Sequence, residues 1–355
     1  MRPLAVHPAD LEIGGANQPP RRALPDRPGR ENRPPLNFQT GSQASRFLGP
    51  GALFTQVRPP VTDDSMGKRI VNIEINSDVA QLADQDFDYL CRLIYEKSRI
   101  RLGPDKRILV TSRLAKRLRQ LQLPDYHEYC ELLRSPAGAE ELSFLIDRIS
   151  TNHTHFFREI KHFDYLREKV LPEWRSQPKS KTEALRVWSA ACSTGEEPYT
   201  LAIHLAEHLA PARTNTWEIA ASDISTRVLA VAKQGVYDED KLAGISPDLL
   251  RRHFQKGMHE WAGQYRVKDD LRQRVNFHQL NLLEGNYPFN RPFEIIFCRN
   301  VMIYFDRPTQ ETLIRLLSER LTPGGYLMVG HSESLSGIKH SLRLIQPAVY
   351  LKSAN

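Results

Sequence analysis

The stretch Arg186–Ile203, RVWSAACSTGEEPYTLAI, passes from an apolar segment through a single-glycine turn into an amphipathic segment. This pattern predicts a β-strand, a tight turn and the start of a helix, the arrangement by which α/β folds hold nucleotide-type ligands. The turn is unusual for that purpose. It has one glycine, Gly195, and then two carboxylates, Glu196 and Glu197. A helix N-terminus attracts anions, but here the chain supplies the negative charge itself, and a phosphate placed there meets repulsion.

A cationic ligand with no phosphate suits such a turn better. S-adenosylmethionine fits that description, having a sulfonium, an α-ammonium group and a ribose but no pyrophosphate. Taken alone, two acids in a first helical turn also have a plainer reading as partners of the helix dipole.

Working outward, the segments RVWSAA, WEIAASD, RVNFHQL, FEIIFCRN, GYLMVGH and AVYLK read as strands. Helices fall between them at PYTLAIHLAEHLA, TRVLAVAKQ and TQETLIRLLSERL, the last stopped by TPGG. This alternation predicts a doubly wound, mostly parallel sheet over 151–355, with ligands at the carboxyl ends of its strands. The connection over 245–276 is too long for a bare loop, and it is expected to be a small antiparallel β insertion. Upstream, 72–150 has helical periodicity in four segments, with Leu82, Phe87, Leu90, Leu93 and Ile94 marking the first, so a small all-helical domain precedes the sheet. Residues 1–68 are expected to be a disordered extension, because 11 of the 24 prolines lie in the first 60 residues.

The 355-residue chain carries a formal charge of +7. The first 60 residues hold eight arginines against four acids, which leaves only +3 for the other 295. A folded part this close to neutral does not predict a nucleic-acid partner. Cys91, Cys130, Cys192 and Cys298 are widely spaced, which disfavours a zinc site or a disulfide framework, and no metal is expected. With no long apolar run and no signal-peptide core, a cytoplasmic monomer without direct membrane insertion is expected.

Other strand ends add polar residues along one rim. Asp223 ends WEIAASD, where an acid can face ribose hydroxyls or simply cap the next helix. Asn281 and Leu282 follow RVNFHQ, and Arg299 and Asn300 end FEIIFCRN. The motifs STNHTHFFRE, WSAACSTGEEPYTLAI, ASDIS, FHQLNLL, IIFCRNVMIYFD and GGYLMVGHSESL together, in this order, resemble the chemotaxis receptor glutamate O-methyltransferases, the CheR family. The resemblance runs over about residues 75–352 and excludes the Pro-rich start.

That resemblance implies a Rossmann-like S-adenosylmethionine-dependent methyltransferase domain that makes γ-glutamyl methyl esters on chemoreceptors. It implies that Asn152, Thr154 and Arg158 approach the cofactor, with Arg158 at its methionine carboxylate. Glu196 would lie near the methionine end, Asp223 at the ribose, and Asn281 and Leu282 at the adenine. Arg299 and Asn300 would complete the floor, with Tyr304 beside the transferred methyl. Arg158 and Tyr304 are the candidates for orienting the acceptor carboxylate. A receptor's methylation helices are the expected partner. A receptor C-terminal peptide is a further candidate partner at the β insertion.

One helix has its own substrate-binding candidates. At about 100° per residue, Lys106, Arg113 and Arg117 share a face with Lys116 beside it, and a Glu-rich helix would suit it. A solvated charged face is the plainer reading. Three rivals are weighed. GHSES, Gly330–Ser334, nearly spells a hydrolase nucleophile elbow, but the last glycine is missing and the only downstream partners, Glu333 and His340, are too local. A nucleic-acid methyltransferase is disfavoured by the absence of an N-P-P-Y-type motif. A catalytically silent cofactor-sensing or receptor-binding scaffold of the same fold is the remaining alternative.

Overall fold

The computed structural model describes residues 81–150, 152–209 and 216–354. The expected disordered extension over 1–68 lies outside the described residues. Among the described residues, four α-helices come first: α1 (Asp84–Ser98), α2 (Arg107–Leu121), α3 (Tyr126–Arg134) and α4 (Gly138–Ile149). Their inward stripes meet in one core, where Phe87, Leu90 and Ile94 of α1 pack with Val110, Leu114 and Leu118 of α2. Asp125 caps α3 by accepting the Glu128 N–H at 2.9 Å, which fixes where that helix starts.

The second domain follows in alternating order. Helix α5 (Lys161–Tyr165), a π turn (Leu166–Val170) and α6 (Leu171–Ser176) lead into β1 (Leu185–Ala190) and α7 (Glu196–His208). Then come β2 (Trp217–Asp223), α8 (Thr226–Gln234), β3 (Val236–Asp238), α9 (Pro247–His253), β4 (Phe254–Lys256), β5 (Gln264–Val267), α10 (Asp269–Arg272) and β6 (Val275–Gln279). Finally β7 (Phe293–Cys298), α11 (Arg307–Glu319), β8 (Leu321–Val329), β9 (Leu342–Gln346) and β10 (Val349–Lys352) close the fold.

Seven strands form one sheet in the order β6-β2-β1-β7-β8-β10-β9. Strands β6, β2, β1, β7 and β8 are parallel, and β10 runs antiparallel to both β8 and β9. The central strands β1, β2 and β7 are buried along nearly their whole length because both faces are covered, whereas the edge strand β6 is buried only at Val275. Val187, Ile295 and Phe297 face one core, whereas Trp188, Ile296 and Cys298 face the other. The strand order reverses beside β1, between β1 and β7, so the carboxyl ends of β1, β2 and β7 frame the crevice where such folds bind ligands.

Two strand expectations need correction. The small antiparallel sheet has the order β3-β5-β4 and begins at Val236, before the expected 245–276 boundary. Its strands are three or four residues long, too short for alternation to stand out in sequence. Strand β9 is the other addition. It pairs with β10 across a tight turn in which Ala348 has φ +63°.

Candidate cofactor site

A cavity opens at the carboxyl ends of β1, β2, β6 and β7. Asn152, Thr154, Arg158, Asp223, Asn281, Leu282, Arg299, Asn300 and Tyr304 all line it. Backbone strain gathers around it: Phe157, Glu159, Ala191, Ser193 and Asn300 have φ of +57°, +56°, +138°, +49° and +58°. Such conformations persist only where the surroundings enforce them, and they cluster at functional sites.

The turn after β1 explains its lone glycine. Gly195 has φ +98°, and a Cβ there would lie 2.8 Å from the Tyr237 hydroxyl and 2.9 Å from the Ala232 Cβ. The two acids that follow point to different places. Glu197 lines the cavity, accepts Ser189 Oγ–H at 2.7 Å and accepts Arg299 Nε–H at 2.7 Å. Glu196 does not line it; its carboxylate accepts the Thr194 hydroxyl at 2.6 Å, and burial raises its pKa. The acid facing the ligand space is therefore Glu197, one helical position on from the expected Glu196.

Asp223 ends β2 with both oxygens engaged. Oδ2 accepts the Ser193 N–H at 2.8 Å and Oδ1 the Ser225 N–H at 3.0 Å. It does not cap α8; the Ser225 hydroxyl does, accepting the Val228 N–H. Burial raises the Asp223 pKa, against the pull of those N–H groups.

The strap over 152–158 forms another wall. Ser193 Oγ donates to the Asn152 carbonyl at 3.1 Å, and Arg158 donates to the His153 carbonyl at 2.9 Å. Asn152 Nδ2 is buried with no hydrogen-bond partner. An orphaned donor beside a cavity is the mark of a site waiting for an acceptor. Arg299, also buried, donates through Nη1 to the Arg158 carbonyl at 2.8 Å and to Glu159 at 3.3 Å, so it ties strap to floor. On the far rim, Asn281 donates to the Lys97 carbonyl at 3.2 Å, and the Leu282 carbonyl accepts the Tyr287 hydroxyl.

The helical domain completes the enclosure. Ser98, Ile100, Ile149 and Ser150 line the same cavity, and the Arg101 N–H donates to the Tyr304 carbonyl at 3.1 Å. Sequence reading missed these residues, since nothing local marks a side chain that serves a distant site.

The expected basic face is divided. Arg113 donates to the carbonyls of Arg148, Ile149 and Ser150, at 3.1, 2.6 and 3.2 Å. Arg117 grips Glu141 at 2.6 Å and covers the Phe144 ring. Both guanidiniums are committed within the fold, because their partners lie on α4, which packs against this side of α2. Lys106, paired with Asp105 at 2.8 Å, and Lys116 remain exposed, together with Arg99, Arg101 and Arg119.

Glu159, His162 and His331 bring ligand-type atoms within 4.8 Å of one another. Arg299 Nη1 already lies 3.1 Å from His162 Nδ1 and donates to Glu159, so a permanent cation fills the space an ion would need. Burial, then Arg299, lowers the His162 pKa to about 3.

A doubly wound domain with an acid at the second strand end, an orphaned amide and no glycine-rich phosphate loop defines a Rossmann-like methyltransferase. Residues 152–351 match the CheR methyltransferase SAM binding domain, and residues 85–150 match the CheR methyltransferase all-alpha domain. The chain belongs to the CheR family, and its cofactor is S-adenosylmethionine. It is 42% identical over 274 residues to a chemotaxis protein methyltransferase of Salmonella typhimurium, covering 77% of this chain and 91% of that one. It is 39% identical over 284 residues to that of Borreliella burgdorferi, covering 79% and 97%. The Escherichia coli protein of the same name is 41% identical over 274 residues, covering 77% and 92%.

Proposed function

We propose that this methyltransferase esterifies glutamate side chains of chemoreceptors. The observation that carries the reading is the state of the cavity's acids. Glu197 is held by Arg299 and Ser189, and Asp223 by two backbone N–H groups, so neither is free to take a proton from an acceptor. A glutamate acceptor needs no base, because an exposed glutamate titrates near pH ~4.3 and arrives ionised.

Bound in the cavity, S-adenosylmethionine supplies an activated methyl for in-line displacement by a carboxylate oxygen, which yields a methyl ester and S-adenosylhomocysteine. Asp223 would hold ribose hydroxyls, Asn152 and Thr154 would meet the methionine end, and Arg158 would pair with the methionine carboxylate. Asn281 and Leu282 would border the adenine, with Arg299 and Asn300 as the floor. Tyr304 and Arg158 orient the incoming carboxylate. Alignment and exclusion of water accelerate a step in which opposite charges cancel.

The partner is a receptor's cytoplasmic methylation helix, met by the exposed cations Lys106 and Lys116 and their neighbours. The β3-β5-β4 sheet is the docking place for a receptor C-terminal peptide. No described helix is long and apolar enough to cross a membrane. In this reading the enzyme acts in the cytoplasm on a membrane-bound partner.

The test is transfer of labelled methyl from S-adenosylmethionine to a receptor cytoplasmic fragment. Base-labile label that vanishes when the methylated glutamates are replaced by alanine supports the reading. Base-stable label, or cofactor binding with no transfer, overturns it; the second outcome leaves a silent scaffold.

A further inference from the structure

Glu333 is buried and does not line the cavity, yet it grips the segment that does. Its Oε2 accepts the N–H of Asn300 at 2.7 Å and that of Gly330 at 2.6 Å, and Oε1 accepts that of Met302 at 2.7 Å. The N–H of Ile303 also faces this carboxylate. One side chain thus gathers backbone donors from the end of β8 and from the loop after β7. That loop supplies Asn300, Val301, Tyr304 and Phe305 to the cavity, and Asn300 enters it in a left-handed conformation.

Gly330 is shaped to this arrangement. A Cβ there would meet Asn300 Nδ2 at 2.6 Å, Glu333 Oε2 at 2.8 Å and the Asn300 nitrogen at 3.0 Å. The GHSE segment, which resembles a hydrolase elbow in sequence, places no nucleophile. It supplies a glycine that lets a carboxylate approach and the glutamate that carries it.

We infer that Glu333 is a positioning residue for methyl transfer, acting through the backbone of Asn300–Ile303 to set Tyr304 at the cavity. A buried carboxylate accepting several N–H groups is hard to replace, because those donors are left unpaired when it goes. Arg299, just upstream, is fixed separately by Glu197, Glu159 and the Arg158 carbonyl. Loss of Glu333 therefore frees the loop from Asn300 onward while Arg299 keeps its partners, so turnover suffers more than cofactor binding.

This inference rests on the proposed reading in which Tyr304 serves the transfer. The experiment uses Glu333→Gln, whose amide nitrogen faces donors it cannot accept. Gly330→Ala is the second variant; it keeps the carboxylate but displaces it. Each full-length variant is measured for kcat and KM with the receptor fragment, for S-adenosylhomocysteine affinity, and for amide hydrogen exchange.

The expected result has three parts. The kcat falls at least tenfold in both variants. The S-adenosylhomocysteine affinity falls by a smaller factor than kcat, since Arg299 keeps its own partners. Exchange at Asn300, Met302 and Gly330 rises more than tenfold while β1 and β7 keep their protection. A fall in melting temperature with unchanged kcat per folded molecule overturns the inference, as does unchanged exchange at those three amides. If wild type itself transfers no methyl to the fragment, the substrate reading fails, and the exchange comparison still decides whether Glu333 holds the loop.

Discussion

Arg299 Nε donates to Glu197 Oε2 at 2.7 Å, and this buried pair joins the end of β7 to the first turn of α7. Removing one partner of a buried ion pair strands the other charge, at a cost of about 3–5 kcal/mol. Glu159 still faces Arg299 at 3.3 Å, which moderates the loss. Glu197→Gln is expected to lower stability by about 3 kcal/mol, read as a shift of the urea midpoint with an unchanged slope. The pair Glu197→Gln and Arg299→Gln should cost less than the sum of the two singles. Strict additivity would mean that the contact contributes nothing.

Asp223 offers a cleaner test of the cofactor pocket. Asp223→Asn places an amide nitrogen against either the Ser193 or the Ser225 N–H, which now donate to carboxylate oxygens. Calorimetric titration with S-adenosylmethionine and S-adenosylhomocysteine should show affinity reduced by about 10- to 100-fold, the worth of one or two charge-assisted hydrogen bonds. Asp223→Ala should lose binding further. Wild-type affinity in either variant would remove Asp223 from the ribose position.

His162 and His204 make the fold sensitive to acid. Burial lowers both to about 3, with Arg299 adding to the effect at His162 and His208 at His204. An unfolded histidine titrates near about 6.5. Above that pH both states hold these rings neutral and stability is complete. Below it the unfolded chain takes protons that the folded one refuses, so stability falls as pH drops from about 6.5 towards 3. Each ring contributes roughly 1.4 kcal/mol per pH unit in that window. Melting temperature against pH should therefore fall steeply over this range, and His204→Phe should flatten the curve. An unchanged slope in that variant would show that His204 takes up its proton while folded.

Much of this is legible in the sequence, for a reason visible at the strands. β1, β2 and β7 are buried on both faces, so they read as apolar runs, and the polar residues that end them stand out. Asp223, Arg299 and Asn300 are found that way, whereas Asn281 follows the edge strand β6. The choice between Glu196 and Glu197 is not legible, because adjacent helical positions differ by about 100° and only the built turn shows which one faces the ligand. Ser98 and Ile100 reach the cavity from the other domain, and no local pattern reports that. Glu333 is invisible for a related reason: its partners are backbone N–H groups up to 33 residues away in sequence, which any side chains there would present.

The divided basic helix gives the last prediction. Arg113 holds three carbonyls at the end of α4, directly before the strap that lines the cavity. Lys116 is solvent-exposed, three residues along the same helix. Arg113→Ala should unpair those carbonyls, lower stability by about 1–3 kcal/mol and weaken S-adenosylhomocysteine binding. Lys116→Glu should leave both unchanged, since exposed charges contribute little to stability. Its effect should fall on KM for the receptor fragment and fade as salt rises, because exposed charges are screened beyond about 10 Å at 0.1 M. Urea unfolding, cofactor titration and KM at two ionic strengths separate the two variants. If Arg113→Ala raises only the receptor KM, its guanidinium acts on the acceptor directly, and the inward clamp has no bearing on the cofactor site.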